Sequence, residues 1–178
     1  MTETRRLNAV RWVAGLALVP SCMAVNVADA STVVEEDPVA IYGLAAHVRA
    51  ANERFKNVSV ALSEGYTPIP CASGADGGAM GIHYVNAKLI GESLDISHPQ
   101  AVMYEPMPDG RLALVAVEYI TTKGPASLEG QLFNFTGVPN RYGLGPFYEL
   151  HVWAWKGNPH GSFADMNPKV SCEHAPAK

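Results

Sequence analysis

Two histidines and a glutamate stand inside short apolar runs: Ile82-His83-Tyr84-Val85, Leu150-His151-Val152-Trp153 and Val117-Glu118-Tyr119-Ile120. Ionisable side chains in such runs are costly to bury unless they are paired, hydrogen-bonded or bound to a metal. Imidazole nitrogens and carboxylate oxygens suit Zn, Fe, Mn, Cu or Ni, and a two-His, one-carboxylate set with open positions can be catalytic. His83, His151 and Glu118 are therefore the first candidates for a divalent transition-metal site, with Glu105 and Glu149 as alternates. No HxH or HExxH spacing fixes a geometry in advance. Without a metal the same groups would form an acid–base set, because His titrates near neutral pH and a carboxylate can orient it. The competing reading is a set of core residues, each hydrogen-bonded on its own.

A second group is aromatic. Phe147, Tyr148, Trp153 and Trp155 cluster on the last run, and Tyr84 and Tyr119 flank the candidate ligands. Tyr84, Tyr119, Trp153 and Trp155 would line an apolar ligand pocket, or simply fill the core. Met80, Met103 and Met107 are soft enough to meet copper, but scattered methionines more often pack.

These residues need elements to position them. Ile41, Leu44, Ala45, Val48, Ala51 and Phe55 recur at helical spacing, so a helix is predicted over residues 39–55, with Asp37-Pro38 as its cap. A shorter helix follows from Val58 to Glu64 and stops at Gly65. Tyr66 to Gly78 reads as a Pro- and Gly-rich loop, and its glycines lack the Lys-Ser/Thr of a phosphate loop. Strands are predicted over 81–86, 101–105, 111–120 and 147–155, and Met107-Pro108-Asp109-Gly110 turns the second into the third. A helical turn is expected over 127–133. Alternation puts Glu149, His151, Trp153 and Trp155 on one face of the last strand, and Glu118 with Leu112, Leu114 and Ala116. Helices followed by antiparallel strands make an α+β domain, with a partial barrel as one way for the sheet to curl.

Composition narrows the partners. The 178-residue chain has a net charge of −4 and no basic run, which argues against nucleic acid. Arg5, Arg6 and Arg11 precede an apolar stretch, Trp12 to Val19, and Val27-Ala28-Asp29-Ala30 ends in a cleavage-like pattern. Residues 1–30 read as a secretory signal peptide, leaving residues 31–178 as one domain in the periplasm or outside the cell. Leu18-Val19-Pro20-Ser21-Cys22 loosely matches a lipobox, so a membrane enters only if Cys22 is lipidated. Cys71 and Cys172 are then an even pair in an oxidising compartment, and a disulfide is expected between them. That pairing withdraws the thiols and leaves His and carboxylate as the metal ligands.

Several segments resemble a family of secreted bacterial proteins of uncharacterised activity: Gly65-Tyr66-Thr67-Pro68, Cys71, Gly78 to Asn86, Tyr104-Glu105-Pro106, Val117-Glu118-Tyr119 and Glu149 to Trp155. The resemblance runs from about Phe55 to Cys172 and implies export and a single domain. It carries no cofactor or catalytic residue with it. The functional expectation is thus a small exported protein that binds a metal ion or a small molecule, with metal-dependent chemistry open to it. A non-enzymatic binder of an apolar ligand and a cell-envelope interaction domain are the alternatives. Oligomeric state has no signal in the sequence.

Overall fold

A computed structural model describes residues 43–74, 77–91 and 93–176. The leader, the cleavage site after Ala30, Cys22 and the Asp37-Pro38 cap lie outside the described residues.

The first helix, α1, spans Leu44–Asn52 and buries Leu44, Ala45, Val48 and Asn52, the three- and four-residue spacing of one helical face. The expected long helix tightens into a 3-10 turn over Glu53–Lys56, and α2 follows at Val58–Ser63. Asn57 caps α2, its side-chain oxygen accepting from the Ser59 N–H at 3.0 Å.

Nine strands come next: β1 (Thr67–Pro68), β2 (Ala72–Gly74), β3 (Gly78–Val85), β4 (Ala101–Pro106), β5 (Leu112–Thr121), β6 (Ser127–Leu128), β7 (Gln131–Leu132), β8 (Asn134–Thr136) and β9 (Phe147–Val152). The main sheet is antiparallel in every pairing and runs β1-β3-β4-β5-β9-β8, with β2 also on β3. Among the described residues it is an open path with β1 and β8 at its ends, and these strands do not close a barrel. The helical turn expected over 127–133 is instead the hairpin β6–β7. Its turn residues, Glu129 and Gly130, have φ of 47° and 85°, and positive φ at both central positions is the mark of a tight hairpin turn.

Both faces of the central strands are covered. On one face Leu44, Val48, Phe55 and Ala61 share a buried cluster with Tyr104, Val117, Tyr119 and Leu150. Three tyrosines of this layer satisfy their hydroxyls on backbone carbonyls: Tyr66 on Pro99 at 2.7 Å, Tyr104 on Phe55 at 2.6 Å and Tyr119 on Ile96 at 2.7 Å. On the other face Ala79, Met103, Val115, Ala116, Trp153 and Val170 form a smaller cluster under the C-terminal tail. This explains why β4 is buried at every position and shows no alternation.

The β4–β5 pairing slips between Met103↔Ala116 and Tyr104↔Leu114, leaving Val115 as an extra residue on β5. Such a bulge reverses which side chains face which way beyond it. Leu112 and Leu114 pack with the helix-side cluster, while Ala116 is in the tail-side one. Strict alternation therefore misplaced Glu118, which does not share the face of Leu112 and Leu114. The last strand also ends at Val152, and the chain beyond it separates the two tryptophans expected on one face. Trp153 joins the tail-side cluster and Trp155 packs against the helix-side one.

A strand bridge and a disulfide are among the contacts that hold the tail. Asn167 bridges to Ala79, with N–H to carbonyl bonds of 3.1 and 3.0 Å in the two directions. Gly78 beside it has φ +83°, and a Cβ there would sit 2.2 Å from the Asn167 carbonyl oxygen, so only glycine permits the crossing. Cys71 and Cys172 form a disulfide that joins the tail to the segment after β1.

Candidate metal centre

His83 on β3, Glu118 on β5 and His151 on β9 meet on the tail-side face, and each is 0% exposed. Glu118 and His151 are direct cross-strand partners. His83 lies across β4, where Ala101 stands opposite Glu118. His83 is paired with Met103 of that strand, so His83 and Glu118 approach each other diagonally across it. One ligand atom from each of the three residues lies within 4.8 Å of the others.

The orientation of both imidazoles is fixed from behind. His83 Nδ1 lies 3.3 Å from the Gly81 carbonyl oxygen, and His151 Nδ1 lies 3.3 Å from Asp165 Oδ1. Each Nδ1 then carries the proton and donates it, which turns both Nε2 atoms toward Glu118. Glu118 Oε2 is 3.4 Å from His83 Nε2 and 3.8 Å from His151 Nε2. Glu118 Oε1 and His151 Nε2 are buried without a hydrogen-bond partner. Tetrahedral ligands at bond lengths of about 2.0–2.1 Å sit about 3.3 Å apart, close to the first of these separations.

Two loop residues complete the cluster. Tyr142 donates its phenol hydrogen to Glu118 Oε2. Arg141 donates Nη2 to His83 Nε2 at 2.7 Å and lies 3.6 Å from Glu118 Oε2. The guanidinium thus supplies a positive charge beside the buried carboxylate.

The electrostatics follow from burial and these neighbours. Burial works to raise the Glu118 pKa, but the positive charges of His151 and Arg141 beside it outweigh that and hold it down to about 2. Burial and the Arg141 charge push His83 well below its ordinary value, so it is neutral and its Nε2 accepts. Burial also works against protonating His151, but Glu118 and Asp165 outweigh it and raise its pKa. Glu149 is raised to about 8, first by burial and then by the adjacent Glu118 carboxylate.

The alternates separate. Glu149 is on the same side as the cluster, and with His151 and Asp165 it forms a second group whose ligand atoms fall within 4.8 Å. Its Oε1 accepts from Thr136 Oγ1 at 2.5 Å. Glu105 is not in either group: it pairs with Lys156 at 2.8 Å and accepts from the Ser171 N–H at 3.0 Å, pinning the tail. The four aromatic candidates do not line one cavity. Tyr119 is fully buried, and the indole N–H groups of Trp153 and Trp155 donate to the Ala164 carbonyl and to Glu53. Tyr84 alone among them borders a surface groove of about 580 Å³ beside the disulfide.

Arg141, Tyr142 and Asp165 had no signal in the sequence reading. All three come from loops, Arg141 and Tyr142 from the β8–β9 connection and Asp165 from the tail. The connection borders a cavity of about 270 Å³ that reaches Arg141, Tyr142 and Glu149. Comparison of the chain with protein-family models, with curated proteins and with solved structures gives no significant match.

Proposed function

We propose that the protein is an exported domain that holds a divalent transition metal on His83 Nε2, His151 Nε2 and a Glu118 oxygen. One observation carries this reading. His83 Nε2, His151 Nε2 and the Glu118 carboxylate converge in one fully buried spot, and two of these atoms, His151 Nε2 and Glu118 Oε1, have no hydrogen-bond partner. A buried carboxylate with unpaired polar atoms at its side is costly unless a cation lies among them. Arg141 on His83 Nε2 and Tyr142 on Glu118 Oε2 meet only part of that demand, and an ion taking the His83 Nε2 lone pair would displace the Arg141 N–H from it.

The oxygen anchors behind each imidazole support the same reading, since metal-binding histidines almost always donate their second nitrogen in this manner. The donor set is the two-His, one-carboxylate type that suits Zn or Fe and accommodates Mn, Cu or Ni. Three protein ligands keep at least one position open, which is what chemistry on a small molecule requires. Export is supported by the leader pattern and by the disulfide, which persists in oxidising compartments. Among the described residues no helix is long and apolar enough to cross a membrane.

Metal analysis of protein purified without a histidine tag tests the reading. Near-stoichiometric Zn, Fe, Mn, Cu or Ni is expected, lost in His83→Ala while the far-UV circular dichroism stays close to wild type. Equal metal content in the two proteins, or none in either after incubation with each ion, overturns it.

A further inference from the structure

Arg141 stands where the cluster meets the 270 Å³ cavity, and its donors are poorly matched. Nη1 donates to the Met80 thioether at 2.9 Å, and Nη2 to His83 Nε2 at 2.7 Å and to the Tyr142 hydroxyl at 3.1 Å. A thioether is a weak acceptor. Glu118 Oε2 stays 3.6 Å away and is taken by Tyr142. Among the described residues no carboxylate meets the guanidinium fork, although that fork fits a carboxylate with two parallel hydrogen bonds. The Arg141 side chain is 25% exposed and borders the cavity with no carboxylate on its fork.

The cavity suits the other half of the same ligand. Its lining includes Phe147, Met80, Met166 and Pro139, an apolar wall, with Asn140 and Thr136 as polar members. Its volume is slightly below the range of pockets for drug-sized ligands, which limits an occupant to a few carbon atoms. The one carboxylate in the lining, Glu149, has an oxygen engaged by Thr136.

We propose that this cavity binds a short-chain carboxylate, with its anion on the Arg141 fork and its apolar tail against Phe147, Met80 and Met166. The proposal rests on the metal reading for one point: the Arg141 end of the cavity adjoins the residues that would hold the ion. The anion is held by Arg141 itself, and Nη1 exchanges the Met80 sulfur for a carboxylate oxygen. Positively charged and neutral analogues of the same size lack the group that Arg141 recognises.

Calorimetric titration with propionate, propanamide and propylamine tests this in wild type, Arg141→Gln and Arg141→Lys. Each protein is studied metal-free and after Co(II) addition, and the Co(II) visible bands report metal uptake separately. Propionate alone should bind wild type. Arg141→Gln should weaken it at least tenfold, the size of a lost charge-assisted hydrogen bond, while the Co(II) bands remain. Arg141→Lys keeps the charge beside Glu118 but loses the fork, so it should also weaken propionate if the Gln variant fails to fold. Unchanged propionate affinity in a folded variant overturns the proposal, as does wild type that binds propanamide equally well. Missing Co(II) bands in wild type count against the metal reading, and the metal-free titration then judges the Arg141 site by itself.

Discussion

Replacing Glu118 by Gln removes the buried negative charge while keeping the shape and an acceptor for Tyr142. In wild type that charge faces Arg141 at 3.6 Å and His151 at 3.8 Å, with 0% of the Glu118 side chain exposed. Taking one partner from a buried charge pair leaves the others uncompensated and costs about 3–5 kcal/mol. For a chain of this size each kcal/mol moves Tm by about 2–4 °C, so Glu118→Gln should melt about 6–20 °C lower in EDTA. Metal adds a second, separable effect. Zinc at about 100 times its Kd stabilises by about 2.7 kcal/mol, which raises the wild-type Tm by about 5–10 °C. The variant, lacking the only carboxylate of the three ligands, should show little of that rise. Differential scanning calorimetry with and without zinc reads both quantities. A variant that melts at the wild-type temperature in EDTA and still gains the full zinc shift would refute the account of Glu118 as the negative centre of the site.

Other outcomes follow from the same geometry. Asp165→Asn loosens the anchor behind His151 and should weaken zinc about 10- to 100-fold by competition with a chromogenic chelator, with Tm in EDTA little changed. Gly78→Ala places a Cβ 2.2 Å from the Asn167 carbonyl oxygen and should lower Tm by displacing the tail, read as faster proteolysis after residue 160. Tyr66, Tyr104 and Tyr119 are raised above the ordinary phenol value, chiefly by burial. A raised folded pKa gives stability that is complete below about pH 10 and is lost as pH rises toward the folded value. The three phenolates should therefore appear together with unfolding in an absorbance titration at 295 nm, and separate early ionisation would contradict their burial. Reducing Cys71–Cys172, which spans 101 residues of sequence, should cost at most about 4.7 kcal/mol by loop entropy.

The convergence of His83, Glu118 and His151 was legible because ionisable residues in apolar strands stand out against their neighbours, and the antiparallel sheet then aligns Glu118 with His151. What failed was anything that depends on a single inserted residue or on a distant segment. Alternation counts every residue, so Val115 at the bulge sent Glu118 to the wrong face on paper. Leu128 and Leu132 are spaced like a helical pair, but Glu129 adopts a positive φ that its residue type does not advertise, and a hairpin forms. Glu129 is steadied there by His47, whose Nδ1 lies 2.9 Å from its carboxylate. Arg141 and Asp165 sit in Gly- and Pro-containing loops, where composition marks a loop but not which side chain turns inward.

The tail carries the Asp165 anchor of His151, the Asn167 bridge to β3 and the cysteine that closes the disulfide, all within its final stretch. The candidate ligands are drawn from three strands, and the last support, Asp165, follows all of them in the chain. A nascent chain that has not yet delivered residue 165 has no oriented His151, whatever ions surround it. An ion held as proposed would then be taken after the tail docks, from the supply in the place where Cys71 meets Cys172.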